Sequence, residues 1–213
     1  MLTVNAAAAN RKLTTLAAVK TELGIADSAQ DEALSAMIDQ MSAAVESFCN
    51  RVFAIDAVTE SVRLPQGSFD RPEAGVSFLR LSRWPLIGVT SVTEDGTALA
   101  LTDFEADFSA GTLLRLDGAG RRRRWNAECV VVVYSGGYKL PADEGRTLPF
   151  DIELATIEMV RLRYMTKSRD PSLKSINIPG VLQEDYWVGN LSENGAIPPM
   201  VAGLLEPYCA SAL

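Results

Sequence analysis

At 213 residues the chain is long enough for one large domain, or one domain with a sizeable insertion, around a proper core. Its 47% hydrophobic and 22% charged residues are ordinary for a soluble globular protein, and a net charge of −7 excludes a generic nucleic-acid binder. The absence of histidine excludes every Ser–His and Cys–His catalytic arrangement and every histidine base or metal ligand.

Met1–Leu13 carries four alanines and no charged-then-apolar signal pattern, and reads as a flexible N-terminal arm on a cytoplasmically made protein. Thr14 or Thr15 caps a short helix running to about Leu23; Leu16, Val19 and Leu23 share a face, and Gly24 suits the position just past its end. Asp27 or Ser28 caps a longer helix that ends near Asn50. Its apolar face is Leu34, Met37, Ile38, Met41, Val45, Phe48 and Cys49, with Asp39, Gln40, Ser42 and Glu46 mostly opposite. The short link between the two predicts a helical hairpin.

From about Val58 to Tyr138 the pattern changes to β-branched residues, Gly and Pro. Strands are predicted at Thr59–Leu64, Val76–Leu81 and Val89–Glu94, with Trp84-Pro85 packing at the base of the insertion. Asp95-Gly96 is a tight turn into Leu99–Leu101, and Phe104–Phe108 with Thr112–Leu116 reads as a hairpin. Glu128–Tyr134 is the strongest strand, its four valines predicting burial on both faces. Cys129–Tyr134 is also the longest strongly apolar run, too short to span a bilayer. The helical period returns at Leu148–Thr166, apolar on two neighbouring faces: Ile152, Ala155, Met159, Leu162 and Met165, then Leu154, Ile157, Val160 and Tyr164. Such a helix must be covered from more than one side. Asp151 and Glu153 near its start and Arg161 and Arg163 near its end suit the helix dipole.

Beyond Arg169, Asp170-Pro171 breaks the helix, and Ser172–Gly195 is mixed, with an apolar patch at Tyr186, Trp187 and Val188. Pro198 and Pro199 then stiffen the entry to a short helix on which Val201, Leu204, Leu205 and Tyr208 share a face. So short a helix needs a surface to pack on. The preceding connector, with Gly180, Gly189, Asn190 and Gly195, reads as too loose to force docking on the chain's own core. The expectation is therefore an arm that is free in the isolated protein and enters a partner's groove.

Few motifs carry chemistry. Cys49, Cys129 and Cys209 are odd in number and far apart, without a CxxC, and read as buried reduced thiols. Gly136-Gly137 lacks the companions of a phosphate loop. Asp103, Glu105 and Asp107 share one strand face, which fits a solvated surface better than a cation site. Arg121, Arg122, Arg123 and Arg124 are the sharpest charge feature. Between a strand and Trp125-Asn126, they read either as a solvated loop or as contacts to phosphates or an acidic partner.

Four stretches, in order, resemble the head–tail connector (head-completion adaptor) proteins of tailed bacteriophages and gene-transfer particles. They are LTTLAAVKTELGI followed by DEALSAMIDQMSAAVESFCNRVF; RWPLIGVTSVTEDG; VVVVYSGGY through LPFDIELATIEMVRLRY; and IPPMVAGLLEPY. The resemblance implies a structural virion protein, assembled in the host cytoplasm. It implies a homo-oligomeric ring, a dodecamer in that family, which joins the portal to a tail-side connector or stopper and continues the DNA channel. The family has no catalytic, cofactor-binding or metal-binding residues to transfer. The partner-facing positions are then Pro198, Val201, Leu204, Leu205 and Tyr208, toward the portal or a neighbouring subunit, and the four arginines, toward DNA or an acidic partner.

The expected fold is α+β, a helical bundle core with an inserted, projecting antiparallel β region and a C-terminal arm. Residues 1–56 form the N-terminal arm and helical hairpin and 57–140 the β insertion; 141–169 complete the helical core and 170–213 are connector and arm. Two other readings are weighed: a carboxylate-dependent hydrolase, which needs a carboxylate pair in one pocket, and a tail-terminator-like scaffold protein, which a helical ring body argues against.

Overall fold

The computed structural model describes residues 1–65, 75–166 and 197–210, and the backbone of 175–178 and 182–185. The fold is mixed α and β with antiparallel sheets, and the described residues hold four α-helices. The chain forms two units, Met1–Asn10 with Val52–Lys139 and Arg11–Arg51 with Leu140–Leu213.

Among its described residues the first unit holds β-strands and one 3₁₀ turn, Leu101–Asp103. Its strands are β1 (Leu2–Ala6), β2 (Asp56–Arg63), β3 (Leu79–Arg80), β4 (Leu86–Glu94), β5 (Thr97–Ala98), β6 (Phe104–Asp107), β7 (Thr112–Leu116), β8 (Arg122–Arg123) and β9 (Cys129–Gly136). A five-stranded sheet runs β1-β2-β9-β4-β5, and a second runs β3-β7-β6 with β8 also on β7. The central strand β9 pairs with β2 from Arg63↔Cys129 to Asp56↔Gly136 and with β4 on its other edge. Its burial alternates: Val130, Val132 and Tyr134 lie in the core, while Val131 and Val133 are half-buried. The valine run therefore marks a central strand with one core face, not burial on both faces. The core also takes Val58, Leu79, Leu81, Leu86, Val92, Phe104, Leu113 and Trp125, and the Trp125 indole N–H donates to the Leu113 carbonyl at 3.1 Å.

Two differences from the sequence reading lie here. Met1–Leu13 does not start as a free arm: β1 pairs with β2 through Leu2↔Glu60, Thr3↔Thr59 and Val4↔Val58. Most of its side chains stay exposed, so main-chain pairing holds it and no apolar alternation announces it. The strand predicted at Val76–Leu81 shrinks to β3, with Val76 making only a bridge to Trp125. The predicted Asp95-Gly96 turn forms between β4 and β5, with φ of 47° and 84° at its two residues. The diglycine has a packing role: a Cβ on Gly136 would lie 2.4 Å from the Arg83 carbonyl oxygen, and one on Gly137 2.3 Å from that of Ala54.

The second unit carries α1 (Leu16–Leu23), α2 (Asp31–Phe48), α3 (Phe150–Met165) and α4 (Pro199–Leu205). Thr15 caps α1 by accepting from the Ala18 N–H at 3.2 Å, and Gly24 closes it at φ 67°. The second helix begins after Gln30, later than expected, because Asp27 spends its carboxylate on the Ala29 N–H. Ser42, expected on the polar side, is buried: its Oγ accepts the Leu13 N–H at 3.0 Å. Val19, Leu34, Ile38 and Val160 form a core cluster joining α1, α2 and α3.

As its two apolar faces require, α3 packs against α1, α2 and α4, burying Ile152, Ala155, Met159 and Val160. Within 170–213, β10 (Ser175–Ile178) and β11 (Leu182–Asp185) pair as an antiparallel hairpin where a mixed connector was expected. Tyr186, Trp187, Val188, Gly180, Gly189, Asn190 and Gly195 lie outside the described residues.

Candidate interaction surfaces

The four arginines follow a turn built by one carboxylate. Asp117, at the end of β7, accepts the backbone N–H groups of Ala119 and Arg121, each at 2.9 Å. The Arg121 N–H, foremost among these contacts, holds the Asp117 carboxyl below the usual carboxylate range. The chain then returns along β7 as β8, with Arg115↔Arg123 and Leu116↔Arg122 in register. The run is thus one side of an exposed hairpin in the β unit. Each guanidinium has a partner within the chain. Arg121 pairs with Asp117 at 2.9 Å, Arg122 with Glu105 at 3.3 Å and Arg123 with Glu94 at 3.5 Å. Arg124 donates to the Gly75 carbonyl at 2.8 Å. The Arg121 and Arg122 side chains remain 79% and 69% exposed, so such pairs are weak and solvent or a partner can compete for them.

The carboxylates of the alternating trio go to different tasks. Asp103 accepts the Ala100 N–H, Glu105 meets Arg122, and Asp107 accepts from Ser109 and Ala110. The Ala110 N–H, with the Ser109 hydroxyl behind it, lowers the Asp107 carboxyl. They are spent on turns and an ion pair rather than converging on one point.

The C-terminal helix departs from expectation. Among the five positions assigned to a partner, Pro198, Val201 and Leu205 are buried in the helical unit itself, Leu205 at 0% exposure. Leu204 and Tyr208 are half-buried. The α4 face lies on α3, and Ile197 and Ala202 are buried with it. Three hydrogen bonds fix the segment: Tyr208 Oη donates to Asp151 at 3.1 Å, Arg51 to the Tyr208 carbonyl at 3.4 Å, and the Ala210 N–H to the Cys49 carbonyl at 2.9 Å. The free arm expected from the loose connector is therefore corrected. The connector's composition says nothing about the surface that α3 offers, and that surface is apolar enough to take the helix.

Sequence reasoning missed the opposite side of α3. Phe150 is 76% exposed, Leu154 44% and Met165 62%, on one helical stripe, and Met200 of α4 is 63% exposed. The Arg146 guanidinium stacks over the Phe150 ring at 4.0 Å. The sequence reading puts Leu154 on the second apolar face of α3 and Met165 on the first, both expected to be covered, and Phe150 on neither.

Residues 13–70 match the model of the phage gp6-like head-tail connector proteins. This segment is similar to that family. It spans both helices of the hairpin and β2, the stretch on which the resemblance first rests. No curated protein matches the chain. Among solved structures, a chain in the neck of an empty GTA particle computed with C6 symmetry aligns at TM-score 0.56 and 15% identity. One in the virion of a native gene transfer agent particle aligns at 0.54 and 16%, and one in the neck of a native GTA particle computed with C12 symmetry at 0.51 and 16%. All three alignments cover 100% of this chain and 97% of the other. At these identities the likeness is one of fold, and it extends over the full length.

Proposed function

We propose that this protein is a structural head–tail connector of a phage or phage-like particle, a ring adaptor at the neck. The observation that carries the reading is a connector-family match at residues 13–70 within a chain whose whole fold resembles neck proteins. In this reading the helical unit is the bundle core that forms the ring body, and the β unit is the projecting insertion. One side of the ring meets the portal, the other a tail-side connector or stopper, and DNA passes through the channel. The protein works by assembly and not by catalysis. Twelve copies are the natural stoichiometry, by analogy with the neck computed with C12 symmetry.

Two surfaces serve the assembly. Leu204 and Tyr208, the half-buried members of the C-terminal set, with Pro198, Val201 and Leu205 shaping the helix beneath them, face the portal or a neighbouring subunit. Arg121, Arg122, Arg123 and Arg124 exchange their weak internal partners for DNA phosphates or an acidic neighbour. No helix in the described residues is long and apolar enough to cross a membrane.

The test is mass measurement and electron imaging of the pure protein mixed with the portal of its own particle. A closed ring seated coaxially on the portal is the expected result. A chain that stays monomeric and never binds the portal sinks the reading.

A further inference from the structure

Cys49 caps the C-terminus of α2 and is 0% exposed. Cys209 follows the short 3₁₀ turn Glu206–Tyr208 that continues α4, and it is half-buried. Nothing in their sequence spacing pairs them. The fold does. The Ala210 N–H donates to the Cys49 carbonyl at 2.9 Å, which lays the two cysteine backbones side by side. The Cys209 thiol is near enough to Cys49 to act on it electrostatically, and its Sγ donates to the Leu205 carbonyl at 3.4 Å. The Arg51 guanidinium, on the Tyr208 carbonyl, is a second tether to the same turn. Cross-linking two cysteines needs adjacent backbones, which the Ala210–Cys49 hydrogen bond supplies.

We propose that Cys49 and Cys209 form a reversible disulfide site that staples the C-terminal segment to the end of α2. The reaction is thiol–disulfide exchange with a small disulfide such as oxidised glutathione. The half-buried Cys209 thiolate attacks one glutathione sulfur, forming a mixed disulfide and releasing one glutathione thiolate. Cys49 then loses its proton, and its thiolate attacks the Cys209 sulfur, expelling the second glutathione. The two protein thiols are oxidised by two electrons, and one glutathione disulfide is reduced to two thiols. The order follows from access. Burial, with Cys209 and Glu46 adding to it against the opposing Arg51 charge, pushes the Cys49 thiol up to about 12. Cys49 therefore resolves the mixed disulfide rather than starting the exchange. The closed loop is long, so the bond restricts the unfolded chain strongly. A reducing cytoplasm keeps the pair open, and an oxidising medium closes it.

The test uses full-length protein and oxidised glutathione under native, mildly alkaline conditions, followed by alkylation and digestion without reductant. The expected product is a Cys49–Cys209 linked peptide lighter by two hydrogens, with a melting temperature several degrees above that of the reduced protein and restored by dithiothreitol. Cys129→Ser should retain both effects, and Cys209→Ser should lose both without lowering the melting temperature of the reduced form by more than a degree or two. If Cys209 stops at the mixed disulfide while Cys49 stays alkylatable after unfolding, the proposal fails. A linkage that requires Cys129 overturns it equally. Portal binding plays no part in these readouts, so the assembly reading can stand or fall separately.

Discussion

At the scale of single residues, a buried polar network distinguishes the β unit. Glu60 is 8% exposed on β2, on the same strand face as the buried Val58. Its carboxylate accepts from the Ser82 N–H at 3.0 Å, the Ser82 hydroxyl, and Tyr134 Oη at 2.6 Å. Tyr134 in turn accepts the Arg83 N–H at 3.0 Å, and Arg83 Nε donates to the fully buried Asp56 at 3.3 Å. Burial, followed by the Glu60 contact, raises the Tyr134 hydroxyl above its ordinary value, so it stays protonated and donates. Tyr134→Phe removes a donor from a buried carboxylate and an acceptor from a buried N–H. Chemical denaturation should show a loss of about 1–3 kcal/mol with the fold retained. An unchanged midpoint would mean that water replaces the hydroxyl. The strand period alone puts Glu60 on the face of Val58, but the network was not legible in sequence, because its partners come from elements distant along the chain. Asp117 gives the pH counterpart. Its folded pKa lies below its ordinary 3.8, so its contribution to the turn is complete above that value and lost as pH falls through the lowered one. In an NMR titration, the Ala119 and Arg121 amide shifts should hold through the ordinary carboxylate range and move only in stronger acid.

At the scale of elements, what was legible was local. Thr15 and Gly24 bracket α1 because caps act within one turn, and the Asp95-Gly96 turn forms because those two residues tolerate positive φ. What distant surfaces decide escaped: that β1 forms, held by main-chain pairing, and that the predicted terminal helix α4 docks on α3. Leu205 decides the matter for α4. At 0% exposure its truncation to Ala should cost about 2–5 kcal/mol by denaturation. A loss within a few tenths of a kcal/mol would restore the picture of an undocked arm. The arginine hairpin behaves in the opposite way. Replacing Arg121–Arg124 together with Ser removes the exposed pairs of Arg121 and Arg122, each worth about 0.2–1 kcal/mol, and the part-buried contacts of Arg123 and Arg124, so the protein should fold with a modest loss of stability. Particle assembly or DNA packaging should fall. Normal yield from the quadruple variant would reduce the run to a solvated hairpin.

At the scale of the whole molecule, the order of elements was more informative than any single motif. The match at residues 13–70 holds the helical hairpin and β2, and the full-length likeness of fold extends over the rest of the β region and the late helix. Which side of α3 stays uncovered was not legible, since a helix apolar on two faces does not say which remains open. The structure leaves open the stripe of Phe150, Leu154 and Met165, interrupted by the Glu158–Arg161 ion pair at 2.9 Å. Exposed apolar side chains aligned on one stripe are costly in an isolated chain and useful in a ring, where a second copy covers them. Leu154 lies inside the stripe, and the Phe150 ring at its end is steadied by Arg146. Leu154→Glu places a charge where the neighbour's surface would desolvate it, while in the free chain the new carboxylate stays in water. The monomer should therefore keep its melting temperature within a few degrees. The ring population on the portal, counted by electron imaging or mass photometry, should fall at least about tenfold, which corresponds to about 1.4 kcal/mol of lost association free energy. Rings forming at the wild-type concentration would show that this stripe faces solvent in the assembly and that the copies meet through another surface.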